Sequence, residues 1–394
     1  MGQRSNFKNV LIFAQPFGLT SQSFFTLSFF TMSKQHQETD PHFPPASSLH
    51  DPEPDEQGDH ITFAEMEAAS RSRGGGSAKA YVLPPIASSV NIDILAFVQE
   101  KLIQHGLLEP EMEGAKDREF KPANKLSGKY DIATDIALRE FFKITGVDYD
   151  GTAINGSHIE QLENPDAQKF PPIQFDDAPG DNTGTLLAKR MLRFMRDKGY
   201  WIARSPAMYN IVYMEGTDGE GRLNSDAPNQ WNDRRFVIKI EENGKPLLEV
   251  NDEATTEPGK YYTEVKLLNA RGAARVAFGQ YKAWQMGLHH GKQPALVQRG
   301  LLRVHRDGNK NYERDSADFI DIGAEFWINQ HTTSENAVHQ FVGKHSAGCL
   351  VGRDYQLHMD FLEVLKRDIR FQNDIAYMFI TTLLPGKEVM GQIA

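Results

Sequence analysis

Residues 327–353 read WINQHTTSENAVHQFVGKHSAGCLVGR, and this stretch contains the only cysteine of the 394-residue chain, Cys349. His331 lies upstream of it, directly after an apolar run. A thiol is a nucleophile only as the thiolate, and a nearby imidazole can take its proton. One cysteine with a histidine elsewhere in the chain is the minimum for a Cys–His acyl-transfer site. A lone cysteine that is only a small buried hydrophobe stays open as the alternative.

The small residues before the cysteine suit a tight turn beside a reacting group. Gly348 lets the backbone approach a substrate closely, because it has no side chain. The N–H groups around Gly348 and Cys349 would then face a developing oxyanion. Ser346 is expected to help shape this turn.

The segment from His331 to Cys349 resembles the signature of the L,D-transpeptidase catalytic domain. In that family a His is followed, at this distance, by Ser/Thr-His-Gly-Cys. Fourteen residues separate His331 from Ser346 here, and Gly-Cys completes the motif. Ala347 stands where many members have His, and Val351 stands where the family has Arg. These two departures put the substrate subsite in question rather than the chemistry.

The resemblance implies a cysteine acyl-transferase that acts on peptidoglycan stem peptides. His331 would take the thiol proton and later protonate the leaving amine, and the hydroxyl of Thr332 would orient the imidazole. An amine that resolves the thioester gives a cross-link, whereas water gives an L,D-carboxypeptidase or endopeptidase-type hydrolase. A non-catalytic wall-binding protein with a structural cysteine is the third reading. None of these needs a metal or a cofactor.

A second agreement with the family lies upstream. Alternating strands on both sides of Asn243 predict a hairpin, and residues 255–262, TTEPGKYY, resemble the Thr-Pro-x-Gly-x-Phe/Tyr segment of the transpeptidase domain. The order of hairpin, this segment, His and Cys is the family's order. His290, in a His-His-Gly run, competes with His331, but its distance to the cysteine does not fit. His290 is therefore expected in a surface loop, with a place along the cleft left open.

Residues 91–147 show two apolar stripes of helical spacing, which predict helices that end near Gly106 and Gly146. The stretch resembles the peptidoglycan-binding domain, a small three-helix module, although a mixed-charge insertion at 109–125 separates its halves. The residues that carry this resemblance are Gln99, Leu102, Gly128, Tyr130, Thr134, Ala137, Leu138 and Phe141. A generic helical hairpin is the alternative. The implied partner is peptidoglycan.

Charge and composition limit the other classes of function. A net charge of −10 argues against a nucleic-acid partner, which would favour a basic surface. A single cysteine excludes an intramolecular disulfide and a multi-cysteine zinc site. Residues 9–33 have the outline of a weak signal peptide or anchor, but Met32 is an alternative start. No other stretch approaches a membrane span, so no stable membrane partner is expected. The resemblance implies the cell envelope or periplasm; a cytoplasmic or phage-encoded protein stays open.

The fold prediction is an α+β multidomain chain. Residues 1–87 are predicted to be a disordered tail and linker, because residues 35–70 are acidic with Pro punctuation and residues 72–78 are rich in Gly and Ser. Residues 88–148 are the helical module, and the proline-rich residues 149–181 are a second linker. Residues 182–394 are predicted to form a mainly β, L,D-transpeptidase-like catalytic domain with flanking helices.

Overall fold

The computed structural model describes residues 81–123, 125–335 and 337–391, which belong to one compact unit. Residues 1–80 of the predicted tail, with the signal-like stretch at 9–33, lie outside the described residues. The last residues of that predicted tail do pack. The short 3₁₀ turn Pro85–Ser88 buries Ile86 among the apolar side chains of the helical segment.

The described residues form a mixed α+β structure with one large sheet and several helices. The helices are α1 (Ile92–Gln104), α2 (Ile132–Thr145), α3 (Gly156–Glu163), α4 (Thr183–Lys198), α5 (Tyr355–Leu365), α6 (Ile369–Asn373) and α7 (Gly386–Gly391). The strands are β1 (Met112–Ala115), β2 (Arg118–Pro122), β3 (Tyr209–Glu215), β4 (Asp233–Ile240), β5 (Pro246–Thr255), β6 (Ala273–Val276), β7 (Gly279–His289), β8 (Gln293–Gln298), β9 (Leu302–Asp307), β10 (Phe319–Gly323), β11 (Gln330–Thr332), β12 (Leu350–Gly352) and β13 (Met378–Pro385). A π-helical turn spans Tyr261–Val265.

The predicted helices of the N-terminal segment are confirmed as α1 and α2. The side chain of Asn91 caps α1 by accepting two backbone N–H groups, and Asp131 caps α2 through the N–H of Thr134. Gly146 ends α2 in the left-handed conformation at φ 66°, which an L side chain rarely adopts. The apolar stripes of both helices therefore face one common core.

Two regions contain regular structure that composition did not reveal. The mixed-charge insertion forms the hairpin β1–β2, and Phe120 of that hairpin is buried in the barrel core. The range 149–181, predicted as a linker, contains α3. Leu162 of α3 is fully buried against the helical core, so this helix is held by packing although its surroundings are rich in proline.

Eight strands form a closed barrel in the order β11-β12-β5-β4-β3-β13-β7-β8, and β8 pairs with β11 to close it. The predicted hairpin is confirmed as β4–β5, with Gly244 in its turn at φ 83°. The last strand along the chain is β13, which lies parallel to β3. A separate three-stranded sheet has the order β10-β9-β6.

The two faces of the barrel strands bury different side chains, as strand alternation requires. Tyr213 and Val237 belong to the interior cluster, whereas Val212 and Phe236 pack outward with the apolar face of α4. After β12 the chain enters α5, which packs against β5, β11 and β12. This arrangement places α5 against the part of the barrel wall that contains the short strands β11 and β12.

Candidate active site

The parallel pair β11–β12 brings the histidine and the cysteine segments together. His331 lies opposite Val351, and the N–H of Leu350 donates to the carbonyl of Asn329 at 3.0 Å. Side chains two residues apart point to the same face of a strand. Cys349 and Val351 indeed pack in the same small apolar cluster. The chain thus holds His331 and Cys349 on one face of neighbouring strands.

The thiol of Cys349 is largely enclosed. The residue is 9% exposed, and its Sγ accepts the N–H of Asn329 at 3.4 Å and lies 3.6 Å from the carbonyl of Trp327. Burial raises the pKa of this thiol to about 11, because the interior disfavours the thiolate. The sulfur is therefore protonated at neutral pH and reacts only if a base removes its proton.

The ring of His331 has a defined tautomer. Its Nδ1 lies 2.8 Å from the carbonyl oxygen of Thr332. A carbonyl only accepts hydrogen bonds, so Nδ1 carries the proton and the neutral ring keeps its lone pair on Nε2. The hydroxyl of Thr332 donates instead to the carbonyl of Gly352 at 3.0 Å. The expected role of Thr332 is therefore corrected in one respect: its carbonyl, and not its hydroxyl, contacts the imidazole.

The turn before the cysteine is fixed by Ser346, as expected. Its Oγ donates to the carbonyl of Cys349 at 2.8 Å and accepts the N–H of Gly348 at 3.1 Å. Gly348 has φ 131°, and a Cβ there would lie 2.7 Å from the carbonyl oxygen of Ala274. The requirement for glycine is thus explained by the close approach of β6, and the N–H of Gly348 is already bound within the turn.

Two further residues complete this corner and were not identified from the sequence. The ring of His289 stacks on that of His331, with centroids 4.0 Å apart and planes 8° from parallel. The side-chain Nδ2 of Asn329 lies 2.8 Å from His289 Nδ1. We call His289, Asn329, His331 and Cys349 the cysteine corner. The only sequence signal for His289 was its place beside His290, since the barrel closure that brings β7 close is not visible in the sequence.

His290 occupies the expected position. It is exposed in the β7–β8 turn with φ 49°, and its ring lies 3.9 Å from that of His289. Burial, reinforced by Lys292, lowers its pKa from the ordinary value. The histidine that contacts His331 is therefore His289 and not His290, which the sequence analysis considered.

A second buried polar group lies on the same barrel and was not predicted. Arg314 contacts Glu215 at 2.5 and 2.7 Å, and Arg275 contacts Glu257. The hydroxyl oxygen of Thr256 lies 2.9 Å from a carboxyl oxygen of Glu215 and 2.9 Å from one of Asp233. We call this set the acid–arginine cluster; its charged members are Glu215, Asp226, Asp233, Glu257, Arg275 and Arg314.

The acid–arginine cluster holds four carboxyl groups and two guanidinium groups. Burial and the neighbouring Glu215 raise the pKa of Asp226 to about 6 and that of Asp233 to about 7. Burial is also the first cause that raises the pKa of Glu257 to about 9. The two guanidinium groups offset only part of the carboxyl charge, so Glu257, and Asp233 in part, hold their protons near neutral pH.

Three of these carboxyls are close enough to share a cation. Oxygen atoms of Glu215, Asp226 and Glu257 lie within 4.8 Å of one another. Glu215 and Glu257, however, already accept from Arg314 and Arg275. The guanidinium groups supply the positive charge that a metal ion would bring, so this geometry favours an internally balanced cluster.

Comparison of the chain with models of protein families, with curated proteins and with solved structures finds no match. Within the part of the chain that the structure describes, no helix has both the length and the apolar character needed to cross a membrane. The features that bear on function are therefore the motif from His331 to Cys349 and the geometry of the cysteine corner.

Proposed function

We propose that this chain is a cysteine-dependent peptidoglycan acyl-transferase with an L,D-transpeptidase-like domain. The observation that carries the proposal is the parallel pairing of β11 and β12, which sets His331 beside the segment of Cys349. The spacing of His331 and Cys349 in the sequence suggested the family, and the pairing of β11 with β12 brings these two segments together. The helical module at 88–148 would hold the glycan strand, and the cell envelope would be the site of action.

The proposed reaction begins with transfer of the thiol proton from Cys349 to Nε2 of His331. The thiolate attacks the carbonyl carbon of the amide after the third residue of a stem peptide. The C–N bond breaks, the leaving amine takes the proton from His331, and a thioester with Cys349 remains. A raised thiol pKa is compatible with this step, because the imidazolium that forms stabilises the adjacent thiolate.

The developing oxyanion needs a donor near the sulfur. The N–H of Gly348 is bound to Ser346, so the N–H of Cys349 is the donor that we assign to it. Attack of a second amine on the thioester gives a cross-link and regenerates the thiol. Attack of water gives a free carboxylate, and the protein then acts as a carboxypeptidase or endopeptidase-type hydrolase.

The decisive experiment is muropeptide analysis after incubation of purified protein with peptidoglycan. Wild type is expected to join or release stem peptides. The matched control is Cys349→Ser, which replaces only the sulfur. Equal product formation by wild type and Cys349→Ser would refute the mechanism, and the ratio of joined to released peptides separates transpeptidation from hydrolysis.

One observation favours the alternative of a non-catalytic wall-binding protein. Cys349 is 9% exposed and its thiol pKa is raised, as for a structural cysteine. Iodoacetamide labelling separates the two readings. A catalytic thiol is labelled in the folded protein, and labelling slows in His331→Ala. A structural thiol is labelled only after denaturation, and His331→Ala makes no difference.

A further inference from the structure

Two side chains of the cysteine corner have no part in the proposed reaction. Asn329 directly precedes β11 and His289 ends β7, and both contact a residue of the proposed reaction. The backbone N–H of Asn329 contacts the sulfur of Cys349, and the ring of His289 contacts the ring of His331. Asn329 and His289 also contact each other. These three contacts connect the nucleophile and the base by a route that does not involve substrate.

Asn329 uses four polar groups in this arrangement. Its backbone N–H lies 3.4 Å from Sγ of Cys349, and its carbonyl accepts the N–H of Leu350 at 3.0 Å. Its side-chain Oδ1 accepts the N–H of Gln298 at 2.9 Å. Asn329 is fully buried, so each of these bonds is made away from water. The residue thus fixes the sulfur relative to β8 and β12.

The contact with Gln298 also settles the orientation of the Asn329 amide. A reversed amide would place its NH₂ group against the backbone N–H of Gln298. Nδ2 therefore points to His289 and donates to Nδ1 of that ring at 2.8 Å. Because Nδ1 of neutral His289 accepts, its proton lies on Nε2. The amide thereby fixes both the tautomer and the plane of His289.

The orientation of the His289 ring in turn determines that of His331, the proposed base. Its ring lies flat on His331 at 4.0 Å, so the planes of the two rings move together. The bond from His331 Nδ1 to the carbonyl of Thr332 fixes rotation within that plane. The stacked ring of His289 and the hydrogen bond to Thr332 together fix the direction in which the lone pair of His331 Nε2 points. That direction decides whether proton transfer from the thiol is efficient.

We propose that Asn329 and His289 are positioning residues that hold the thiol of Cys349 and the imidazole of His331 in one reactive geometry. The inference rests on the proposed function. Neither residue exchanges a proton with substrate. Their loss should therefore lower kcat, while KM for stem peptides stays unchanged.

The test measures kcat and KM of the full chain with purified disaccharide tetrapeptides. His289→Phe keeps a flat ring and loses the Nδ1 acceptor, so kcat should fall about tenfold, the effect of one hydrogen bond. His289→Ala also removes the stacked ring, and kcat should fall about 100-fold. KM should stay within about twofold in both variants.

The matched control is His305→Phe. His305 is also half-buried on a strand and contacts a polar side chain, Asp318 at 3.1 Å, but it lies in the three-stranded sheet. This variant should keep the kcat of wild type. Asn329→Ala and the double variant with His289→Phe complete a cycle. If the two residues act as one unit, the double variant is no slower than the slower single variant.

The outcomes separate the inference from the proposed function. An active wild type whose kcat changes less than about twofold in His289→Phe overturns the positioning role, as does a double variant whose losses simply multiply. If Asn329→Ala does not fold, the two His289 variants decide alone. A wild type that neither joins nor releases peptides refutes the proposed function instead. The labelling rate of Cys349 by iodoacetamide then tests the geometry, and equal rates in wild type and His289→Ala overturn it.

Discussion

The cysteine corner and the acid–arginine cluster are both buried in the barrel, yet they differ in how their charges are arranged. The cluster contains six ionisable side chains in close contact, and its arginines neutralise part of its carboxylates. The corner contains a thiol, an amide and two imidazoles, joined by single hydrogen bonds and one ring stack. The segments that carry the two regions touch, because the N–H of Gly259, two residues after Glu257, donates to the carbonyl of Ser346, three residues before Cys349, at 2.8 Å.

The comparison shows that a perturbed pKa by itself does not identify an active site. Three carboxyls of the acid–arginine cluster have raised pKa values, whose causes are burial and each other's charge. Ion-pair networks produce such shifts without any reaction. The corner has a single raised pKa, that of the thiol, but there the paired strands β11 and β12 bring the segment of a thiol beside that of an imidazole with a defined tautomer. We therefore expect catalysis at the corner and stability from the cluster.

The largest expected effect is that of Cys349→Ser on the turnover of stem peptides. The rate should fall on the order of 10⁴-fold or more, because the hydroxyl is a much weaker nucleophile in the same position. Muropeptide analysis measures the rate, and circular dichroism checks that the fold is kept. A serine variant as fast as wild type would show that the cysteine corner, like the acid–arginine cluster, has no part in catalysis.

His331→Ala should lower the same rate about 10³-fold, because the thiol then lacks a base. The matched change is His290→Ala, in the exposed neighbour of His289. We expect His290→Ala to keep most of the activity of wild type. The reverse ranking in the peptide assay would assign the base to His290 and would contradict the tautomer argument for His331.

Arg275→Met should destabilise the fold by about 3–5 kcal/mol, because it removes a buried guanidinium that lies 3.8 Å from the carboxylate of Glu215 and contacts Glu257, and leaves Glu215 with less positive charge around it. Urea denaturation measures the change in the free energy of unfolding. The control is Arg222→Met, which removes an exposed arginine that pairs with Asp218 and should change stability by about 0.5 kcal/mol or less. Equal effects of the two substitutions would show that the cluster contributes no more than a surface ion pair.

The cluster should also make stability depend on pH between 7 and 9. The pKa of Glu257 is raised from its ordinary 4.5 to about 9, so the folded chain holds this proton where the unfolded chain has lost it. The free energy of unfolding therefore falls as pH rises through this window, by at most about 1.4 kcal/mol per pH unit.

Thermal melting at pH 7 and pH 9 measures this dependence. In this window the histidines of the unfolded chain are already largely neutral and add little to the slope. Glu257→Gln should remove most of it, because the amide does not titrate. A wild type that is equally stable at both pH values would mean that the cluster is fully ionised already at pH 7.

The smallest expected effect is that of Thr332→Val. It removes the bond from the hydroxyl to the carbonyl of Gly352 and keeps the carbonyl that contacts His331. Stability should fall by about 1 kcal/mol, and kcat should change by less than about threefold. Denaturation and the peptide assay separate the two quantities. A large loss of kcat would restore to the hydroxyl the orienting role expected from the sequence.

The sequence by itself determined the local elements. Apolar periodicity predicted α1 and α2 with their glycine ends, and Asn243-Gly244 predicted the β4–β5 hairpin. These features depend on residues a few positions apart, so they can be read along the chain. The same local reasoning missed α3, because proline-rich composition hides a short helix that is held by the burial of Leu162.

Tertiary structure alone decided the contents of the corner and of the cluster. His289 reaches His331 because the barrel sets β8 between β7 and β11, and Arg314 reaches Glu215 across about a hundred residues of chain. Such contacts follow from strand order and register, which depend on the packing of the whole barrel. The sequence named the sulfur and the imidazole through their spacing. The enclosure of the thiol, the carbonyl that sets the histidine tautomer and the second imidazole follow only from the closed barrel.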